Sequence, residues 1–289
     1  MSAAVPWDLV APMIMGALLG GLYALVALGL SLVFGVMKLI NVAHGDFVVL
    51  GSYAAYAGMS LGLDPILSLL VGVPAFGVLG FLLYRFLMHR ASGISAEAPL
   101  IVAFGLSIVL QNAIQIAWSP LSRGLTTSYI LVSLRFGSAD IPLVYLLDLV
   151  AALIVMAALD GFLRRTYLGR AVTAASQDAR AAQLVGINTD TIHALAFAIA
   201  TATAAIAGVF LGLTYPFTPS SGVAYLIIAF GVVIIGGLGS MLGTFLGGII
   251  LGLAQSLGGH FFGAAAQMLP VYLTVLVLLA LRPQGLFGR

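Results

Sequence analysis

Nine apolar runs separated by short polar segments leave this chain few folds to adopt. The runs are Leu9–Val36, residues 47–62, Ile66–Leu87, Pro99–Trp118, Pro142–Leu163, Ile192–Tyr215, Val223–Leu238, Met241–Leu257 and Met268–Leu281. At about 1.5 Å per residue, about 20 apolar residues cross a hydrocarbon core of about 30 Å as a helix. Charged residues make up 7% of the chain, against about a quarter in a soluble domain. The expected fold is all-α: a polytopic transmembrane helix bundle forming one domain over 1–289, with no extramembrane domain. No basic region followed by a small-residue cleavage site opens the chain, so the first run is expected to act as its own insertion signal.

One stretch cannot lie in lipid. Residues 164–193 hold Arg164, Arg165, Arg170, Arg180, Asp178 and Asp190. Each central Arg or Asp costs about 2.5–3.5 kcal/mol in a spanning helix. Residues 164–191 are therefore an aqueous loop, and their arginine excess puts them on the cytoplasmic side. The loop also carries helix signals. Ser176 is read as N-cap, Asp178 sits in the first turn, QDARAAQLV forms a short helix along the membrane surface, and Gly186 stands at C′. A solvated connector and a docking element for a soluble partner remain equally open from these residues alone.

Counting outward from this loop gives nine crossings, with the N-terminus outside and the C-terminus in the cytoplasm. Nine of the eleven Lys and Arg residues then lie inside, and Arg123 and Arg135 lie outside, as the positive-inside bias requires. Eight crossings remain an alternative, with residues 41–62 re-entrant. No internal repeat is evident.

Three groups of residues could carry function. In INVAHGDF, Asn41, His44, Gly45 and Asp46 interrupt apolar sequence. An ionisable residue at membrane depth points to a polar path or a proton relay; a solvated turn, or caps made by Asn41 and Asp46, is the structural alternative. Gln111 and Gln115 share a helical face, with Asn112 beside them, and either bond a neighbouring helix or face a passage. Gly239, Gly243 and Gly247 recur every four residues, and Gly248 and Gly252 repeat that spacing; this small-xxx-small pattern predicts close helix packing. Gly236–Ser240 reads as a turn.

The absences are informative too. The four histidines (44, 89, 193, 260) show no metal-ligand spacing and there is no cysteine, so no metal site is expected. The basic residues form no stripe for nucleic acid. The single lysine, Lys38, lies in no P-loop pattern, and neither G-x-S-x-G nor H-E-x-x-H occurs. The chain reads as a passage or scaffold and not as an enzyme; it needs no cofactor of its own, and any ATP is used by other subunits.

Two stretches carry a resemblance. GLYALVALGLSLVFGVMKLINVAHGDFVVLGSYAAY, and LGRAVTAASQDARAAQLVGINTDTIHALAF followed by GGLGSMLGTFLGGIILGLAQ, resemble LivH-type permease subunits of branched-chain amino acid ABC transporters; the RPQGLFGR ending is similar as well. The resemblance implies a bacterial-type inner membrane protein working with a second, LivM-like permease, two cytoplasmic ATP-binding subunits and an extracytoplasmic solute-binding protein. It implies that Ala175–Ile187 couples to the ATPase through Ser176, Asp178, Ala179, Arg180, Ala182, Gly186 and Ile187. Gly186 matches the glycine of the permease–ATPase contact motif, while Ser176–Gln177–Asp178 departs from the Glu-Ala-Ala of other importers. The implied substrate is a branched-chain amino acid, with urea or short amides as the alternative in the same architecture. The outer loops 119–141 and 215–222 are expected to receive the binding protein. Rival readings are a proton-coupled secondary transporter using His44 and Asp46, and a passive channel.

Overall fold

A computed structural model of the chain describes residues 7–95, 97–136 and 139–288; Arg289 and residues 137–138 of the middle loop lie outside them. Twelve α-helices carry the described fold. They are α1 (Trp7–Met37), α2 (His44–Ser60), α3 (Leu69–Leu83), α4 (His89–Ser92), α5 (Ala98–Trp118), α6 (Leu143–Arg165), α7 (Tyr167–Gln177), α8 (Ala179–Leu184), α9 (Thr189–Thr214), α10 (Gly222–Gly236), α11 (Met241–Phe262) and α12 (Met268–Leu281). A π-turn, Tyr84–Met88, joins α3 to α4 without a break. Eight helical segments are long and apolar enough to cross a bilayer; α2, with 17 residues, covers the remaining apolar run, 47–62. The bundle is all-α and polytopic. The one departure is a small antiparallel hairpin, β1 (Ser133–Phe136) with β2 (Ala139–Pro142), which the sequence reading left as irregular.

The helices α1 and α9 are the most enclosed; α3, α5 and α12 lie at the periphery. Lipid supplies no hydrophobic force between helices, so contact depends on packing and small residues. The glycine-spaced stretch of α11 works on two sides. A Cβ added at Gly248 would lie 2.6 Å from the Ala24 nitrogen and the Gly20 carbonyl of α1, and one at Gly247 would lie 2.5 Å from the Val232 carbonyl of α10. Gly252 meets the backbone of Gly16 and Gly20, and Gly243 meets that of Gly236. Thus α11 is pressed against α1 and α10 at backbone distance. The turn at 237–240 exists as read, with Gly237 at φ 95° and Gly239 at φ 84°, a region that L side chains rarely enter. The C-terminal segment returns here: Leu286 N–H donates to the Ile235 carbonyl at 2.8 Å.

The chain takes an unusual course into the run at 47–62. After Met37, residues 38–43 climb into the bundle, so that α2 begins beside Val26, about three helical turns before the end of α1. From there α2 rises to the opposite end, where Tyr56 meets Arg123. Residues 38–60 therefore cross as an extended climb followed by a helix. After α9 the chain mirrors this: residues 215–221 descend into the bundle and α10 begins at Gly222, against Gly45 and Asp46.

The backbone contacts give a sharp test. Gly248→Ala is expected to cost about 1–3 kcal/mol, the usual penalty for overpacking. Gly105→Ala on α5, where an added Cβ meets nothing within 4 Å, should leave stability unchanged or slightly raised. Thermal unfolding of both variants in detergent checks the contrast.

Candidate functional site: a buried helix junction and two surface helices

The junction is built by the starts of α2 and α10. Two helix N-termini brought together place two partial positive charges side by side. Asp46, in the first turn of α2, is 1% exposed and lies against Gly222, the first residue of α10. A side chain at Gly222 would displace its carboxylate. The Asp46 side chain thus lies between the two helix starts. Its Oδ1 also accepts from Gln111 Nε2 of α5 at 3.0 Å, and the same amide donates to Ser107 Oγ at 3.2 Å. Gly45 touches the Gly222 carbonyl so closely that any side chain would collide with it.

His44 is fully buried and its Nε2 lies 2.8 Å from the Val26 carbonyl of α1. A ring nitrogen facing a carbonyl carries the hydrogen, which leaves Nδ1 as the acceptor. That atom has no partner among the described residues, and neither has Asn41 Oδ1. The solvated-turn reading of this segment is overturned: Asn41, His44, Gly45 and Asp46 are all buried. Asn41 makes no side-chain cap; its carbonyl accepts from the His44 N–H at 3.1 Å. His44 and Asp46 bond to different helices and not to each other.

The two glutamines part company. Gln111 reaches the junction, whereas Gln115, one turn on, is exposed on the outer face of α5. Asn112 is exposed and donates to its own helix at Ile108. The sequence reading also passed over Asp148 on α6. It is 0% exposed and accepts from Thr214 Oγ1 at 2.8 Å, while its Oδ1 is unpartnered. The one acidic residue of the run Leu143–Leu159 was the available signal.

The surface segment contains two helices where one was read. Thr166 caps α7, accepting from the Gly169 N–H at 2.9 Å. Ser176 is not an N-cap: it lies inside α7, donates to the Thr173 carbonyl at 2.7 Å, and lines a cavity of about 750 Å³ with Ser31, Asp160, Arg164 and Ser240. Asp178 takes the capping role, its Oδ1 accepting from Arg180 N–H (2.9 Å) and Ala181 N–H (3.0 Å). An aspartate between two short helices caps better than the serine before it because its charge also meets the dipole of α8. Gly186, at φ 85°, turns the chain after α8, as its C′ reading requires. Ala182 is buried and Ile187 half-buried; Arg180 and Ala181 are exposed, and Ala179 is intermediate. The residues that stand out are ones the reading omitted: Leu184 (89% exposed) and Val185 (77%). With Ala182 facing inward, helical phase turns Leu184 outward, while Val185 is exposed at the C-cap, where the helix has ended.

At the opposite end, Arg123 ties the loops. Its backbone pairs with Phe217 (2.9 and 2.8 Å), its Nη1 donates to Tyr56 Oη at 2.9 Å and its Nη2 to the Trp118 carbonyl at 3.1 Å. Partial burial pushes the Tyr129 phenol up, and it donates to Asp64 Oδ1 at 3.4 Å. Residues 119–136 and 139–141 are thus a braced surface, with residues 215–217 tied to it before the chain turns into the bundle.

A buried polar junction inside an apolar bundle, with surface helices at one end, is the architecture of a multi-pass membrane protein. The profile of the family described as "Branched-chain amino acid transport system / permease component" matches residues 13–281, and the chain belongs to that family. It is 33% identical to the high-affinity branched-chain amino acid transport system permease protein BraD of Pseudomonas aeruginosa, over 95% of this chain and 94% of that protein. The LivH permease protein of Escherichia coli (strain K12) is 32% identical over the same shares. The LivM permease protein of that organism is 26% identical, over 92% of this chain and 67% of LivM. Among solved structures, PsaBC from Streptococcus pneumoniae in complex with Fab shares the fold, with a TM-score of 0.52 at 13% identity over 95% of this chain and 93% of that one. The protein is a multi-pass protein of the inner membrane.

Asp46→Asn keeps an oxygen for Gln111 and is expected to fold as the parent does. Asp46→Ala leaves the Gln111 amide without this acceptor, and should lose about 1–3 kcal/mol. Thermal midpoints of the two purified variants decide between this role and a merely space-filling one.

Proposed function

We propose that this chain is a permease subunit of an ABC importer for branched-chain amino acids, paired with a second, LivM-like permease and driven by two separate ATP-binding subunits. The observation that carries the coupling is the apolar knob on the surface segment. Leu184 and Val185 end a capped, backbone-satisfied helix outside the apolar bundle. Exposed apolar side chains on such a fixed helix suit insertion into a groove of a soluble partner. Residues 164–191 form the coupling loop, with Leu184 and Val185 joining Arg180 and Gly186 as its contact residues.

In this reading a loaded solute-binding protein docks on the braced loops around 119–141 and 215–222. Closure of the ATPases pushes the α7–α8 pair, which is tied to α6 and α9, and so moves the spans. The path follows the junction of α2 and α10, near Asn41, His44, Gly45, Asp46 and Gln111, with Gln115 facing the second permease. Both helices start inside the apolar layer, as broken helices do at transporter binding sites. An apolar solute needs few polar contacts there, and the binding protein supplies selection. ATP is consumed by the partner subunits and not by this chain. Transport of urea or short amides would need the same framework and is the lesser reading, since the named relatives are branched-chain amino acid permeases.

Leu184→Asp with Val185→Asp removes the knob without touching buried atoms. The double variant should reach the membrane in normal amount, yet retain at least about tenfold less ATPase on co-purification, with uptake falling in parallel. Unchanged ATPase retention would refute the coupling surface.

Orientation has its own test, eased by the absence of cysteine. Val185→Cys should resist a membrane-impermeant maleimide applied outside and react after permeabilisation. Thr126→Cys should react from outside. The opposite pattern would invert the topology.

A further inference from the structure

We propose a second binding site, for the phosphate headgroup of an anionic phospholipid, in the cavity where α1, α4, α5 and α9 meet at the surface-helix end of the bundle. The cavity, of about 710 Å³, is walled by Lys38, His89, Arg90, His193, Ser92 and Tyr84, among others. That volume lies within the range of about 300–1,000 Å³ usual for small-molecule sites.

Its charge is unbalanced. Asp190 is the one carboxylate on the wall, and it lies 3.5 Å from His89 Nδ1. Among the described residues Lys38 and Arg90 form no ion pair. Two cations and two imidazoles therefore face one carboxylate that is already engaged. Glu97 is exposed just ahead of α5 and is not part of the wall. Lys38 is the chain's single lysine, and it is held at φ 52°, a conformation costly for a residue with a side chain. That conformation turns the chain from α1 into the climb toward α2 and sets Lys38 on the cavity wall. The start of the 21-residue helix α5, at Pro99, adds its dipole to the same side.

The surroundings choose a lipid over a soluble anion. Beside the cavity, Phe86 (57%) and Leu87 of the π-turn, and Leu100, Ile101 (68%) and Phe104 of α5, are exposed on spanning helices. A phosphodiester seated between Lys38 and Arg90 would lay its acyl chains along this face. Basic pockets between spans recognise anionic headgroups in this way. The site joins α1, which leads into the buried junction, to α5, which supplies Gln111. Bound lipid would therefore brace both elements.

Native mass spectrometry of the full chain in detergent tests this with phosphatidylglycerol, phosphatidylcholine and inorganic phosphate as probes. The expected result is retention of phosphatidylglycerol over phosphatidylcholine, reduced about fivefold by Lys38→Gln or Arg90→Gln alone. Arg165→Gln, away from the cavity, should change nothing. Equal retention by the Lys38→Gln/Arg90→Gln double variant would overturn the site. Stabilisation by inorganic phosphate as large as that by the lipid would overturn the lipid as its occupant. Should the double variant fail to fold, the parent decides: its phosphatidylglycerol preference must vanish in high salt, and a salt-independent preference refutes the proposal. None of these readouts uses transport, so they stand apart from the fate of the importer reading.

Discussion

Backbone-to-backbone contact holds this bundle together. Helices in lipid gain nothing by hiding apolar side chains from one another, because lipid tails are equally apolar. What they can gain is dispersion at short range and a path for polar side chains to reach a partner. The stretch Gly236–Gly252 provides the first on two faces of α10 and α11, with Gly16 and Gly20 answering from α1. The second follows from it. Close approach lets Thr244 Oγ1 donate to Ser31 Oγ at 2.8 Å and Ser256 Oγ to the Pro12 carbonyl at 2.7 Å, both across the α1–α11 seam. Without the glycines those hydroxyls would be out of reach.

The same closeness makes the buried junction possible. Two helix starts inside an apolar layer present N–H groups and like partial charges, so a polar side chain between them is favourable. Asp46 lies there, and Gly222 leaves the space it occupies. Gly45 lets α2 and α10 meet at the backbone, so that one side chain lies against both helix starts. A junction of this kind is held by a few polar contacts and not by interlocked side chains.

The sequence made the class legible and the junction only half so. Composition and run length are enough for an all-α bundle, because lipid excludes every alternative but a barrel. Gly243, Gly247, Gly248 and Gly252 could be read as a packing stripe from spacing alone. Which neighbour each one meets could not be read, since that depends on three helices at once. Asn41, His44 and Asp46 were visible as polar residues among apolar ones. Their burial was not, because a turn of that composition also suits water; the climb of residues 38–43 decides it. Ser176 and Asp178 are both good caps by type, and only the preceding helix α7, with its own cap at Thr166, shows which of them is free for the role. Leu184 and Val185 were passed over because apolar residues are usually read as inward, and these two are exposed at the end of a short surface helix.

The exposure of the bundle's periphery follows the same logic to its end. Most of the outer face of α5 is what lipid tolerates: Ile101, Phe104, Ile108 and Val109. Asn112 bonds its own helix and so is tolerated as well. Gln115 is different, since it is exposed and carries four hydrogen-bonding sites that lipid tails cannot satisfy. It lies one turn beyond Gln111, whose amide is fixed on Asp46. A helix that turns one amide inward to the junction and the next outward connects the junction to whatever covers α5. Under the importer reading that cover is the second permease, and α5 is then the element through which the two subunits sense each other's helix starts.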